Sequence, residues 1–389
     1  MATRAGRRPR ESSGRQRAGR IKFGLPLKMT VVSVIAVIVV EVVLVLAFGS
    51  GKEPNWKLVG PLLVLLVPVA AALSYFFALS ISKPLKKIVG DVAAMASGDY
   101  TRRSRVKSND EVGVLARAVN ELAESLEEAE RSKEEVNRIE DDLSLAGEIQ
   151  QMLLPSVIPT IPTLDIYPYY RPAGTLGGDY YDFIPVSPEQ LGIVISDVSG
   201  KGIAGSMIMG IFRSVLRRFA EKNPSTRDVL VKTNELLSRD VKRGMFVTAF
   251  YVVYHIPTNR MTFSCAGHTP MVIYRATSDS VELVKPQGMA LGFDTGVVFN
   301  RQIQQHELGL RPGDRVVLYT DGVTDTVNRR GEKFGEKRLY RFIKENAWMS
   351  SKEFLSELIA ELDDFRGRAE QVDDITLVTF RVREPDELD

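Results

Sequence analysis

The sequence predicts an α+β protein with antiparallel sheets, preceded by a long helical N-terminal part. Two apolar segments and a heptad pattern make up that N-terminal part. From about residue 160, short β-rich runs alternate with helical patterns. The neighbouring runs at 248–254 and 260–265 are joined through the turn sequence IPTN, which is typical of a β-hairpin. Hairpins mixed with helices indicate antiparallel sheets rather than a parallel βαβ series.

Composition limits the kinds of site that the chain carries. The 389 residues are enough for two or three domains, and a net charge of +2 indicates no particular partner. The single cysteine, Cys265, excludes an intramolecular disulfide and any zinc site built on several thiolates. Three histidines leave little room for a histidine-rich metal site. A catalytic metal would therefore bind mainly to carboxylate oxygens, which favours magnesium or manganese.

Two apolar segments within 29–82 predict a pair of transmembrane helices. The first runs from 29 to 48 and is interrupted by Glu41, and the second, 58–82, is uncharged throughout. Each reaches the ~20 mostly apolar residues that a spanning helix needs. The first segment could also be the core of a signal peptide, but no A-x-A cleavage pattern follows it. Glu41 is either a functional acid within the membrane or a residue at its outer boundary.

Charge predicts the orientation of these helices. Residues 1–28 carry nine Lys or Arg against one acid, and the predicted outer loop, 49–56, is too short to fold. The positive-inside rule therefore places both ends of a multi-pass protein of the cell membrane in the cytoplasm. The basic tail is expected to be a disordered, topology-setting segment, with membrane lipid rather than nucleic acid as its partner.

A heptad pattern follows the second apolar segment and is broken once, at the sequence Ser-Gly-Asp of 97–99. Such a seam needs a partner helix to bury it. Its positions are Leu85, Ile88, Val92, Met95, Val112, Leu115, Val119, Leu122 and Leu126. Pro84 just past the apolar helix, together with Glu111 and Gly113 at the second helix, resembles a HAMP domain over 83–135. The resemblance implies a parallel four-helix homodimer, and the alternative is a plain coiled-coil spacer.

A linker helix is predicted over 136–158. Residues 121–144 are rich in charge, which is typical of a solvated helix face. Val136, Ile139 and Leu143 keep an apolar stripe along it, so the linker is expected to extend the dimer coil. Prolines from residue 155 onward then end the helix and begin a new domain.

Acidic residues lie at the ends of predicted strands or in glycine turns. Asp197 ends a strand in ISDVSGKG, Asp321 ends one in LYTDGVTD, and Asp373 and Asp374 precede one in VDDITLV. Asp179 follows two glycines in LGGDYYDF. Each acid alone is typical of a turn. Several carboxylates brought together stay ionised only beside positive charge, so a pair of divalent cations is the natural companion.

Seven motifs of the C-terminal part occur in a characteristic order. They are GGDYYDF, SDVSGKG, CAGHTP, GMALG, LRPGDRVVLYTDGVTD, GEKFG and VDDIT. With the segment EIQQMLLP, this order resembles the SpoIIE-like branch of the PPM metal-dependent protein phosphatases over roughly 145–382. The resemblance implies a PPM-type β-sandwich of two antiparallel sheets flanked by helices, which we place at 159–383.

The resemblance also implies a two-metal site. Asp179 would hold one ion, and Asp197 would bridge both. The carbonyl of Val198 would help to hold the first ion, while Asp321 and Asp373 would hold the second. Asp179 and Asp197 are therefore the expected catalytic residues, with Mn²⁺ or Mg²⁺ as the cations.

Further residues are expected to support this site without being certain ligands. They are Asp182, Asp374 and Lys201. Relatives in eukaryotes carry a histidine in an Asp-Gly-His-Gly motif as proton donor, and Lys201 stands at the aligned position, so the general acid stays open. His268 in CAGHTP is another candidate, although a structural turn is the favoured interpretation.

The implied activity is hydrolysis of phosphoserine or phosphothreonine by a membrane-anchored phosphatase, with no phosphoenzyme. By resemblance, the substrate is a phosphorylated STAS-domain anti-sigma-factor antagonist in a partner-switching pathway. One alternative is a catalytically inactive membrane receptor or scaffold whose phosphatase fold only binds partners. Another is a phosphatase of small phosphate esters.

Overall fold

The computed structural model describes residues 25–48, 56–242 and 244–387. Most of the predicted basic tail and outer loop lies outside these residues. The chain divides into two compact units, Met1–Arg138 and Ile139–Asp389. The predicted boundary between 135 and 136 falls inside one continuous helix, whose last part belongs to the second unit.

The helices and strands of the described residues alternate mainly in the second unit. The helices are α1 Leu25–Phe48, α2 Trp56–Ala96, α3 Glu111–Leu153, α4 Ile203–Ala220, α5 Thr226–Asp240, α6 Phe299–Gln302, α7 Asp321–Asp325, α8 Gly335–Asn346 and α9 Ser351–Arg366. The strands are β1 Leu164–Arg171, β2 Tyr180–Ser187, β3 Gln190–Val198, β4 Val247–His255, β5 Arg260–Ala266, β6 Met271–Arg275, β7 Ser280–Val284, β8 His306–Gly309, β9 Arg315–Tyr319 and β10 Ile375–Val382.

The transmembrane pair is supported in part. Within the described residues, one helical stretch, Val64–Ala96, is long and apolar enough to cross a membrane by length and composition. The apolar stretch of α1, Thr30–Leu46, is shorter. The prediction of two spans therefore remains a prediction for the first helix.

The turn after α2 and the start of α3 follow from local chemistry. Gly98 ends α2 with a φ of 98°, a conformation that glycine adopts without steric cost. Asp110 precedes α3, and its Oδ1 accepts a hydrogen bond from the backbone N–H of Val112 at 3.1 Å. The same carboxylate forms an ion pair with Lys28 of α1 at 2.5 Å. The connector between α2 and α3 therefore returns to the level of the start of α1.

The heptad seam is covered on one side only. Of its nine positions, four are buried between α2 and α3, four are exposed, and Leu126 is half-buried. The buried positions are Ile88, Met95, Val112 and Val119. The exposed positions are Leu85, Val92, Leu115 and Leu122. The exposed positions form an apolar stripe that the N-terminal unit itself does not bury.

The second unit is the predicted sandwich of two antiparallel sheets flanked by helices. One sheet has the order β1-β10-β9-β6-β7 and the other β2-β3-β4-β5-β8. An apolar core lies between the sheets. Helices α4 and α5 pack on the outer face of the second sheet, and α8 and α9 pack on that of the first. Layered packing of this kind buries both faces of each sheet.

Side chains cap the starts of two helices in the second unit. The side chain of Ser225 accepts a hydrogen bond from the backbone N–H of Asp228 at 3.2 Å. Ser350 and Glu353 form a reciprocal capping box at the start of α9.

Strand pairing brings the acidic motifs to one edge of the sandwich. Because β2 and β3 are antiparallel, the start of β2 lies beside the end of β3, where Tyr180 pairs with Ser196. Because β9 and β10 are antiparallel, the end of β9 lies beside the start of β10, where Tyr319 pairs with Leu377. The first pair of strands belongs to one sheet and the second pair to the other. Hydrogen bonds from Thr320 and Thr376 to Asp179 show that these two strand ends lie together.

Candidate active site

The acids from the two sheets act on one another electrostatically. The carboxyl groups of Asp179 and Asp197 each affect the pKa of the other. Burial raises the pKa of Asp197 to about 6, and the negative charges of Asp321 and Asp373 add to this rise. Burial also raises the pKa of Asp321, with Asp373 contributing next. The structure therefore brings together four acids that the sequence had singled out.

Asp179 connects the two sheets. Its side chain is buried, and its Oδ2 accepts hydrogen bonds from Thr320 Oγ1 at 2.7 Å and Thr376 Oγ1 at 2.5 Å. Thr320 directly precedes Asp321, and Thr376 lies on β10. Burial raises the pKa of Asp179 well above its usual value, and the charge of Asp197 raises it further. Both threonine hydrogen bonds oppose that rise.

Two glycines let the loop before β2 approach the site closely. A Cβ on Gly177 would lie 2.6 Å from Oδ2 of Asp374. A Cβ on Gly178 would lie 3.0 Å from the carbonyl oxygen of Val198. Both spaces are too tight for a larger residue at unchanged backbone. The Val198 carbonyl therefore faces the same loop that carries Asp179.

Asp374 supports this loop through backbone hydrogen bonds. Its Oδ2 accepts from the N–H of Gly178 at 2.6 Å, and its Oδ1 accepts from the N–H of Ala173 at 2.7 Å. Because Asp374 is buried, water does not compete for these hydrogen bonds. Its contacts are those of a residue that orders the loop.

Gln150 is a site residue that the sequence reasoning missed. Its Nε2 donates to the carbonyl of Gly177 at 2.6 Å, and its Oε1 accepts from the N–H of Gly177 at 3.1 Å. Gln150 is buried near the end of α3. The segment EIQQMLLP was recognised as a motif, but it contains two adjacent glutamines, Gln150 and Gln151, and Gln151 is exposed. Only burial separates the two.

Asp182 lies in a different network from the four acids. Its Oδ2 accepts from the hydroxyl of Tyr180 and pairs with the guanidinium of Arg217 on α4, and its Oδ1 accepts from the N–H of Phe183 at 2.8 Å. Side chains alternate along a strand, so Asp182 shares the α4-facing side of β2 with Tyr180. Among the described residues, the side-chain hydrogen bonds and the ion pair of Asp182 go to Tyr180, Phe183 and Arg217, none of which belongs to the acidic cluster.

Lys201 lies at the acidic edge. Its Nζ forms an ion pair with Asp373 Oδ1 at 3.2 Å and donates to the carbonyl of Val372 at 2.5 Å. A cavity of about 370 Å³ lies beside it, bordered also by Gly202, Gln371 and Thr175. A positive group at the mouth of an acidic site can attract a phosphate.

His268 has the contacts of a structural residue. It is buried, its Nδ1 hydrogen-bonds with Thr248 Oγ1 at 2.9 Å, and Thr248 in turn donates to the backbone carbonyl of Asp197 at 3.3 Å. Burial lowers the pKa of His268 to about 3. The imidazole is therefore neutral near pH 7 and does not carry the proton that a general acid must donate.

The donor set fits hard divalent cations in its chemistry but does not form a closed cage. Among the described residues, no three His, Cys, Asp or Glu side chains converge into a complete ligand set. The donors that the site offers are carboxylate and carbonyl oxygens, which Mg²⁺ and Mn²⁺ prefer. The mutual repulsion that raises the pKa values of Asp179 and Asp197 is the kind that a bound cation relieves.

Two families of known domains match the chain. Residues 187–383 match the family described as Stage II sporulation protein E (SpoIIE), and residues 76–128 match the HAMP domain. The phosphoserine phosphatase RsbU of Bacillus subtilis is 30% identical over 247 residues, which cover 62% of this chain and 70% of that protein.

Two further similarities concern the length of the chain and its fold. Protein IcfG of Synechocystis is 29% identical over 355 residues, covering 83% of this chain and 55% of that protein, so the chain spans little more than half of IcfG. The SiaA-PP2C domain of Pseudomonas aeruginosa is 22% identical with a TM-score of 0.56, covering 63% of this chain and 97% of that domain. That likeness shows the fold. The chain therefore belongs to the SpoIIE family of PPM-type protein serine/threonine phosphatases, here with a HAMP domain before the phosphatase fold.

Proposed function

We propose that the enzyme dephosphorylates a phosphorylated STAS-domain anti-sigma-factor antagonist in a partner-switching pathway. The observation that carries the proposal is the meeting of Asp179 and Asp197 from one sheet with Asp321 and Asp373 from the other. The similarity to RsbU, which is named a phosphoserine phosphatase, supports phosphoserine as the group removed. Dephosphorylation would let the antagonist bind its anti-sigma partner.

The proposed ligands are those that the motifs indicate. Asp179 and the Val198 carbonyl would hold one cation, Asp197 would bridge, and Asp321 and Asp373 would hold the other. Two bound Mn²⁺ or Mg²⁺ ions would supply a water acidic enough to attack phosphorus near neutral pH, and would neutralise charge on the phosphoryl oxygens.

The protein's own residues would hold this arrangement in place. Thr320 and Thr376 fix the orientation of the Asp179 carboxylate by hydrogen bonds to a single oxygen. Asp374 and Gln150 order the loop before it. Preorganisation of this kind lets charged groups meet the developing charge without rearranging.

Lys201 would attract the phosphorylated substrate. Its side chain is more than half exposed and borders the cavity of about 370 Å³, whose lining also includes Asp374. An exposed cation next to a cavity raises the local concentration of a phosphate dianion. Lys201 thus contributes binding, and the donor of the leaving-group proton stays open.

We also propose that the protein is anchored by two membrane helices and acts as a dimer through its HAMP and linker helices. The apolar helix Val64–Ala96 and the HAMP match support a membrane protein. The exposed part of the heptad seam supports a partner helix, because Leu85, Val92, Leu115 and Leu122 would otherwise face water. Residues 83–389 should then have twice the monomer mass by light scattering at micromolar concentration, and a monomer would contradict the dimer.

The substrate proposal is tested by comparing phosphate release from three substrates. The full chain in nanodiscs with Mn²⁺ would receive a phosphoserine STAS-domain protein, a phosphopeptide cut from it, and a small aryl phosphate. We expect kcat/KM for the intact protein to exceed that for the aryl phosphate by about 100-fold or more, since remote contacts supply specificity. Equal values would show a phosphatase of small esters. The absence of release from every substrate would favour the inactive scaffold, against which the intact set of acids argues.

A further inference from the structure

A basic pocket lies in the N-terminal unit, between α2 and the connector that follows it. Its volume is about 760 Å³, and it is bordered by five basic and two acidic side chains. The basic residues are Lys86, Lys87, Arg102, Arg103 and Arg105. The border therefore carries a formal charge of +3 before any pairing is considered.

Two of the arginines already form ion pairs with carboxylates. Arg102 forms an ion pair with Asp91 at 3.3 Å. Arg103 forms one with Glu127 at 2.7 Å and also donates to the carbonyl of Tyr100 at 2.6 Å. These contacts fix the connector against the helices and leave both arginines in place at the pocket wall.

Three cations remain without such a partner. Within the part of the chain that the structure describes, Lys86, Lys87 and Arg105 make no side-chain hydrogen bond or ion pair, and all three are exposed. The second acid of the pocket, Asp99, accepts a hydrogen bond from the hydroxyl of Thr101 at 2.7 Å. The excess positive charge therefore remains available to a ligand.

The pocket follows the apolar helix closely along the chain. Lys86 is four residues beyond Ser82, the last residue of the uncharged segment, which is ~6 Å along a helix axis. The polar headgroup layer of a bilayer is roughly 5–8 Å thick on each side. Lys86 and Lys87 are thus expected at the depth of lipid phosphates.

A HAMP dimer would leave this pocket open. The exposed seam positions Leu85 and Val92 are seven residues apart and share one side of α2. Lys86 and Gly90 follow Leu85 by one and five residues, which turns them about 100–140° away from that side at 100° per residue. A partner packed on the seam would not cover them.

We propose that this pocket binds the phosphate group of an anionic ligand. Two free lysines and an arginine around one opening provide positive charge and several hydrogen-bond donors. This combination suits a phosphate better than an uncharged ligand. The phosphate could belong to a phospholipid headgroup at the membrane surface or to a soluble phosphate compound. Either source would place an anion where the membrane helix joins the HAMP domain.

The test uses the full chain in a neutral detergent and separates the two sources. Native mass spectrometry would measure retention of phosphatidylglycerol against phosphatidylcholine, and calorimetry would measure binding of inorganic pyrophosphate. The variant replaces all three free cations: Lys86→Gln, Lys87→Gln and Arg105→Gln. A matched control removes three exposed lysines of the second unit: Lys232→Gln, Lys337→Gln and Lys352→Gln. A charge-keeping variant carries Lys86→Arg, Lys87→Arg and Arg105→Lys.

We expect the neutral variant to bind at least about tenfold more weakly, while the control and the charge-keeping variant bind as the unaltered chain does. Loss of phosphatidylglycerol alone identifies a lipid site, and loss of pyrophosphate alone identifies a site for soluble phosphates. Loss of both supports a general phosphate site. The proposal is overturned if the unaltered chain binds neither probe, or if the neutral variant and the matched control bind equally. Circular dichroism would verify that helix content is unchanged in each variant.

Discussion

The side-chain amide of Gln150 forms two hydrogen bonds with the backbone of Gly177, one through each of its polar atoms. Gln150 lies near the end of the long helix α3, and Gly177 is two residues before Asp179. A Cβ on Gly147, one turn earlier in α3, would lie 2.7 Å from the carbonyl of Thr175 in the same loop. The end of α3 within the phosphatase unit therefore packs against the loop that carries Asp179 and is hydrogen-bonded to it.

Replacement of Gln150 should weaken cation binding. In Gln150→Leu the N–H and carbonyl of Gly177 lose their buried partners. This loss destabilises the ordered conformation of the loop by roughly 1–3 kcal/mol. We expect Mn²⁺ affinity, measured by calorimetry on the full chain, to fall by about 5- to 150-fold. The neighbouring change Gln151→Leu, at an exposed position, serves as the control. Equal Mn²⁺ affinity in the two variants would show that the contact does not order the site.

Removal of the Lys201 charge should have the opposite effect on cation affinity. Its ammonium group lies 3.2 Å from Asp373 Oδ1 and repels a cation that approaches the same carboxylate. Because the pair is largely exposed, the gain is at most about 1 kcal/mol. We expect Lys201→Ala to bind Mn²⁺ up to about fivefold more tightly, with Lys232→Ala as control. Weaker binding in Lys201→Ala would instead make Lys201 a support of the acidic cluster.

His268 should make stability depend on pH. Its pKa in the folded protein is about 3, against an ordinary value of 6.5. The unfolded state therefore takes up a proton as pH falls through 6.5, while the folded state does not until about pH 3. We expect the free energy of unfolding to fall between those values, by up to about 1.4 kcal/mol per pH unit from this group.

The comparison that isolates this effect is urea unfolding of the unaltered chain and of His268→Asn at pH 7 and pH 5. Asparagine keeps a polar atom for Thr248 but does not titrate. The unaltered chain should lose more stability than the variant on acidification. A smaller loss in the unaltered chain would indicate that His268 is charged when folded and reopen its role as a proton donor.

Sequence patterns placed three of the acids at strand ends because each of the three borders a recognisable apolar run. Asp197 and Asp321 directly follow apolar runs, and Asp373 directly precedes one, so their place at strand ends is local information. The family order of the motifs then indicated that they share a site. The sheet pairing that brings them to one edge is long-range and is visible only in the structure.

Other features carried no local signal. Asp182 follows Asp179 by three residues, yet it lies inside β2 on the face that packs against α4, so proximity in sequence misplaced it. Strand β1 contains Pro168, which breaks the apolar pattern of the run, and its place at the edge of the sheet tolerates a proline that a central strand does not. Gln150 contacts a loop 27 residues away, which no periodic pattern reveals.

The most direct measurement is phosphate release from a phosphoserine STAS-domain protein by the full chain with Mn²⁺, before and after Asp197→Asn. The exposed Asp364→Asn supplies a control of the same chemistry. We expect Asp197→Asn to lower kcat by at least about 100-fold and Asp364→Asn to leave it unchanged, because Asp197 lies among the acids of both sheets and Asp364 does not. Equal rates for Asp197→Asn and the unaltered chain would show that the reaction does not occur at this site.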